Sequence, residues 1–132
     1  MTIDHTSLHI PKAKFDDCLN LYIAALKPLG YEVRVRYGET TVGLASIHDT
    51  GNCPPADLWV IASDDATTRS NHLAFRAPDR ATVDAFHKAA IQAGGEDNGK
   101  PGLRTMYHPN YYGAFVIDAV GNNIEAVCHT AE

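Results

Sequence analysis

The chain has 132 residues, 45% hydrophobic and 20% charged, the length and balance of one globular domain with room for a single sizeable core. Lys and Arg number 11 against 16 Asp and Glu, a net charge of −5, so the positive excess that sequence-independent phosphate binding draws on is missing. Nucleic acid and acidic membrane surfaces are thereby excluded as main partners. No apolar run approaches the roughly 18 residues of a membrane span, and the first ten residues carry neither a basic start nor an apolar signal core, so a cytoplasmic protein is expected.

Cys18, Cys53 and Cys128 form no CxxC pair and cannot all be bridged, which fits a reducing compartment. Cys18 and Cys128 read as core residues. Cys53, in the loop Gly51-Asn52-Cys53-Pro54-Pro55, reads as exposed.

In chain order, residues 3–10 alternate as a strand, with His5, Ser7 and His9 on one face and Leu8 and Ile10 on the other. Pro11 stops it. From Lys12 to Leu26 the side chains of Phe15, Cys18, Leu19, Tyr22 and Leu26 recur at three- and four-residue steps, an amphipathic helix closed by Lys27-Pro28-Leu29-Gly30. Strands follow at 31–37, 41–47 and 57–62. The polar stretch from Ser63 to Ser70 reads as a connector.

A second series then begins. Asn71 to Pro78 is a strand, Asp79 caps a helix to about Ala93 with Val83, Phe86 and Ala90 inward, and Gly94-Gly95 close it. Strand candidates lie at about 103–107, 113–118 and 123–129. The order βαβββ is therefore written twice, in modules of about 3–62 and 71–129. His5 to His72 and Pro11 to Pro78 are both 67 positions apart (72 − 5, 78 − 11), and Asp57 to Glu125 are 68 apart (125 − 57). The expected class is α+β, two modules forming an incomplete, barrel-like sheet with helices outside. One helix covers one face of each four-stranded sheet, which leaves the other face for a ligand or a partner.

Counting by twos puts His5, Asp57, His72 and Glu125 on those uncovered faces, opposite the greasier Leu8, Leu58, Leu73 and Ile124. Two imidazoles with one or two carboxylates suit a divalent first-row metal such as Zn, Ni, Mn, Co or Fe, and the lack of paired thiolates argues against a structural zinc.

On these residues the chain resembles the vicinal oxygen chelate superfamily, the group of glyoxalases, bleomycin-resistance proteins and extradiol dioxygenases. The resemblance runs over about residues 3–129. It is carried by Asp4-His5, by His72-Leu73-Ala74-Phe75 and, most specifically, by Asp118-Ala119-Val120-Gly121-Asn122-Asn123-Ile124-Glu125. It implies His5, His72 and Glu125 as metal ligands. Glyoxalases of the group add a Glu from the last strand of the first half. The matching residue here is Asp57, one methylene shorter, which is left as a ligand through water, a base, or a residue facing away.

Around this set, the run from Arg104 to Gly113 is rich in hydrogen-bonding aromatic and cationic side chains. His108 is a candidate proton carrier there, and Tyr111 and Tyr112 are candidate hydroxyl donors. Arg76 and His9 are candidates to meet an anionic substrate group, and Trp59 to pack against substrate. His48, His87 and His129 read as surface residues.

The expected function is a glyoxalase-like, metal-dependent isomerase or lyase acting on a small molecule held through adjacent oxygens, in a homodimer such as the resemblance implies. Two alternatives stand beside it: a ring-cleaving extradiol-type dioxygenase using the same three ligands, and a non-catalytic drug-binding protein. No glutathione-contact pattern is recognisable.

Overall fold

The computed structural model describes residues 5–48, 56–64 and 71–132. Asp4 and Cys53 with its loop lie outside the described residues, as does most of the connector.

The first module runs β1 (Thr6–Pro11), α1 (Phe15–Leu26), β2 (Tyr31–Tyr37), β3 (Thr41–Ser46) and β4 (Leu58–Ser63). The second runs β5 (His72–Arg76), α2 (Arg80–Gln92), β6 (Glu96–Leu103), β7 (Tyr112–Ile117) and β8 (Asn123–Cys128). The sheets have the orders β1-β4-β3-β2 and β5-β8-β7-β6, each with its first and last strands parallel and the other pairs antiparallel. The duplicated α+β plan is therefore present, with two open sheets.

Some boundaries differ from expectation; β1, for one, runs on through Pro11, which pairs with Ser63 at the edge of the sheet. A 3-10 turn at Lys12–Lys14 precedes α1, so the helix proper begins at Phe15. The first sheet-forming stretch after α2 is 96–103, directly after Gly94-Gly95, while 104–111 forms a loop. This strand, Glu-Asp-Asn-Gly-Lys-Pro-Gly-Leu, has no apolar alternation to reveal it. It is an edge strand whose register with β7 shifts on both sides of Gly99, and an edge tolerates both the bulges and Pro101.

Helix α1 turns Phe15, Cys18, Leu19, Leu21, Tyr22, Ala25 and Leu26 into the core. Helix α2 turns in Val83, Phe86 and Ala90, and its first turn is capped by Asp79, whose Oδ1 accepts from the Thr82 N–H and hydroxyl, each at 2.7 Å. These faces and the inner faces of the sheets form one continuous core, in which Ile10, Leu44, Leu58, Phe86 and Ile124 are fully buried, each contributing about 1.5–3 kcal/mol by removal from water. Cys18 and Cys128 are buried free thiols, and burial pushes the Cys18 thiol up to about 11.

The two helices pack on one another, and each covers one face of its own sheet. Strands of one sheet scarcely touch strands of the other; Tyr31 meets Phe75 edge-on at 5.5 Å between ring centres. The uncovered faces, carrying His5, Ser7 and His9 on one sheet and His72, Ala74 and Arg76 on the other, are thus left open, and these six residues are exposed. Among the described residues no helix is long and apolar enough to cross a membrane.

Candidate metal centre

The second module builds the more complete arrangement. Parallel pairing sets His72 opposite Asn123 and Ala74 opposite Glu125. His72 Nδ1 lies 3.0 Å from the Asn123 carbonyl oxygen, and a carbonyl can only accept, so this nitrogen carries the proton. The ring's Nε2 lies 3.1 Å from Glu125 Oε2. Two acceptors at that distance need a proton or a cation between them. Glu125 is 2% exposed and His72 50%, so the carboxylate is sunk in the protein while the imidazole reaches it from the open side.

The other carboxylate oxygen, Glu125 Oε1, accepts a short hydrogen bond from the Tyr111 hydroxyl. Burial first, and the Glu125 carboxylate second, push the Tyr111 phenol up to about 12, so it keeps its proton and stays a donor. Gly113 makes this contact possible. A Cβ there would stand 3.2 Å from both Glu125 Oε1 and the Tyr111 ring. Tyr107, Phe115 and Asn123 complete a cavity of about 400 Å³. Phe115 stacks on His72 with centroids 6.4 Å apart, and the Arg104 guanidinium lies over the Phe115 ring at 5.6 Å.

The 104–111 loop is fastened by its own backbone, Arg104 N donating to Tyr111 O and Tyr111 N to His108 O. His108 Nδ1 accepts from the Asn110 N–H at 3.1 Å, so its Nε2 bears the proton donated to His129 Nδ1, 2.7 Å away. Both imidazoles lie edge-on to the Tyr111 ring. His129, read from sequence as a surface residue, is therefore part of this cluster. Tyr112 is not. Adjacent strand residues face opposite ways, and its hydroxyl donates to Asp84 Oδ1 of α2 at 2.7 Å with Arg80 over its ring.

The Asp118–Glu125 motif turns out to hold the backbone. Asp118 Oδ1 accepts from the N–H groups of Val120 and Asn122, and its Oδ2 accepts from Asn122 Nδ2 and Tyr22 OH. Asn122 Oδ1 in turn accepts from the Asn71 N–H at 3.0 Å. The turn thereby pins the start of β5 to the start of β8, which is what sets His72 against Glu125.

In the first module, His5 and Asp57 stand just ahead of β1 and β4, where the Thr6 N–H donates to the Asp57 carbonyl at 2.8 Å. Asp57 Oδ2 accepts from the Tyr31 hydroxyl at 2.9 Å. Both residues line a second cavity, of about 340 Å³, with Phe75 and Arg76. Trp59 lies over Gly43 and stacks parallel on Tyr37, centroids 5.9 Å apart. His9 is exposed opposite Ile61 and lines neither cavity.

Strand register corrects the alignment of the halves. Trp59 faces Ser7, two places after His5, as Glu125 faces Ala74, two places after His72. The counterpart of Glu125 is thus Trp59, and Asp57 corresponds to Asn123. The expectation that His5, Asp57, His72 and Glu125 converge on one face is also not met within one chain. Among the described residues no three His, Cys, Asp or Glu are grouped to hold a metal ion; His5 and Asp57 line one cavity, with residues of β5, and His72 and Glu125 line another. The donor types fit a divalent metal: His72 is aligned by a carbonyl behind it and Glu125 by a hydroxyl, an outer shell of the kind metal ligands carry.

No family model and no curated protein matches the sequence. Solved structures do match. A glyoxalase/bleomycin resistance protein from Albidiferax ferrireducens T118 shares 23% identity over 95% of this chain and 98% of its own, with a TM-score of 0.74. A glyoxalase/bleomycin resistance protein/dioxygenase family enzyme from Burkholderia phytofirmans PsJN shares 16% over 98% and 100%, TM-score 0.70. A lactoylglutathione lyase from Agrobacterium tumefaciens shares 18% over 96% and 92%, TM-score 0.62. The chain has the fold of these glyoxalase, bleomycin resistance and dioxygenase proteins.

Proposed function

We propose that the protein is a metal-dependent, glyoxalase-like isomerase or lyase acting on a small molecule through two adjacent oxygens, and that it works as a homodimer. The pairing of His72 Nε2 with Glu125 Oε2, two groups of ligand type 3.1 Å apart with their other atoms held by hydrogen bonds, supports this reading. His5, which among the described residues is not grouped with His72 and Glu125 as a three-donor set, is proposed to supply the third ligand from a second copy. A divalent ion (Zn, Ni, Mn, Co or Fe) held there would polarise a substrate carbonyl and favour the enolate form. Tyr111 keeps its proton and fixes which carboxylate oxygen faces His72. Asp57, oriented by Tyr31, is the base for a substrate proton, and His108 with His129 carries protons at the rim. His9, Arg76 and Trp59 are proposed to contact substrate. Buried free thiols at Cys18 and Cys128 accord with a cytoplasmic location.

Elemental analysis tests the centre. His72→Ala and His5→Ala should each lose most of the metal, and mixing the two variants should restore it in about one site per mixed dimer. Full metal in His72→Ala, or a 14.3 kDa monomer in sedimentation that still binds metal through His5, overturns the reading.

A second reading, a ring-cleaving dioxygenase, is favoured by one observation. With Trp59 at the counterpart of Glu125, the set is two His and one carboxylate, which leaves positions open for a catechol and oxygen.

A further inference from the structure

A cavity of about 850 Å³ lies at the seam of the two modules. It is bounded by the Lys27–Leu29 turn, by the end of β3 and by the ends of β5 and β8. Four basic side chains line it, Lys27, His48, Arg76 and His129, each from a different element, and none of its lining residues is acidic. In a chain with net charge −5 this is the reverse of the average surface. Neither Lys27 nor Arg76 has a carboxylate partner among the described residues. Lys27 and Arg76 are cations without a counter-charge in this recess, the two imidazoles add polar ring nitrogens, and an anion shared by these groups is favoured there. The walls between them are apolar, with Leu29, Ile47, Phe75 and Pro78, which suits an anion with a carbon body over a bare inorganic ion.

The cavity also adjoins the first-module half of the metal centre. Tyr31, Phe75 and Arg76 line both it and the cavity that holds His5 and Asp57. Arg76 therefore stands at the boundary, where a molecule with its acid group among the basic side chains can extend its other end toward His5.

We infer that this cavity binds the anionic group of a small organic acid, a carboxylate or phosphate ester, and that the substrate belongs to that class. The second half of the inference rests on the function proposed above; the first does not, and the experiment separates them.

Titration calorimetry on the full chain, stripped of metal with a chelator, would compare benzoate and phenyl phosphate with neutral benzyl alcohol. Both anions should bind, with benzyl alcohol at least about tenfold weaker, and Arg76→Gln should weaken the anions by about tenfold or more, the loss expected for a charge-assisted hydrogen bond. Lys27→Gln, on an exposed turn, gives a second variant should Arg76→Gln fold poorly. Lys12→Gln, which removes an exposed cation outside the cavity, should bind as wild type. Equal binding of benzyl alcohol, no anion binding at millimolar concentration, or unchanged binding in both cavity variants overturns the inference. Because the protein is metal-free, a failed metal centre leaves these results untouched.

Discussion

Tyr22 in α1 and Asp118 at the end of β7 are 96 residues apart in sequence and joined by a 2.7 Å hydrogen bond, so a helix of one module buttresses the hairpin that positions Glu125 in the other. Burial first, then the Asp118 carboxylate, hold the Tyr22 phenol well above its ordinary value. A group whose pKa is raised by folding contributes stability that is whole below its unfolded pKa, about 10, and is lost as pH rises through the folded value. Thermal melts should therefore show stability falling above about pH 10. Tyr22→Phe should flatten that fall while costing about 1–3 kcal/mol at neutral pH, because Asp118 loses a donor. An unchanged alkaline limb would assign it to another group.

Asp57 can be tested as a neighbour of the proposed metal. Asp57→Asn should leave metal content close to wild type, since its register partner in the second module is Asn123. Its effect should fall on turnover. Loss of metal in Asp57→Asn, measured by elemental analysis, would return Asp57 to the ligand set.

Gly113→Ala probes the fit around Glu125. The added methyl would crowd Glu125 Oε1 and the Tyr111 ring, both at 3.2 Å, and should cost about 1–3 kcal/mol in thermal unfolding. Metal retention against a chelator should drop with it. A variant as stable and as metal-replete as wild type would show that the Tyr111–Glu125 contact is loose.

Oxygen separates the two enzyme readings. With Lewis-acid chemistry, Zn or Ni supports turnover and solvent deuterium enters the product; with ring cleavage, oxygen uptake matches substrate loss on an iron-loaded protein. We expect deuterium exchange with α-hydroxyketones and no oxygen uptake with catechols. Stoichiometric uptake on an oxygen electrode reverses the choice.

The duplicated order of elements was readable because helices and most strands announce themselves by period. Leu8 and Ile10 alternate, and Phe15, Cys18 and Tyr22 recur at helical steps. Strand β6 was not, because an exposed edge demands no apolar face. His72 and Glu125 were singled out from position and residue type and do meet in the fold, yet the match of Asp57 to Glu125 slipped by two places. A shift of two preserves the side of the sheet, so facing alone could not expose it; hydrogen-bond register did.

Other parts of the site depend on contacts between distant segments. The run of two tyrosines gave no sign that Tyr111 turns to Glu125 and Tyr112 to Asp84, although strand alternation says that only one of them can serve. His129 joins His108 across 21 residues. Tyr31, which orients Asp57, looked like an ordinary strand aromatic.

Strand β6 is a poor template for another chain. An unprotected margin, with its row of unused amide and carbonyl groups, invites further strands to add and so leads to open-ended association. Here the shifts around Gly99 break the regular spacing of those groups, and Pro101 offers no amide hydrogen at all. The polar, glycine-rich composition that hid this strand from sequence reading thus guards one border of the second sheet against open-ended strand addition.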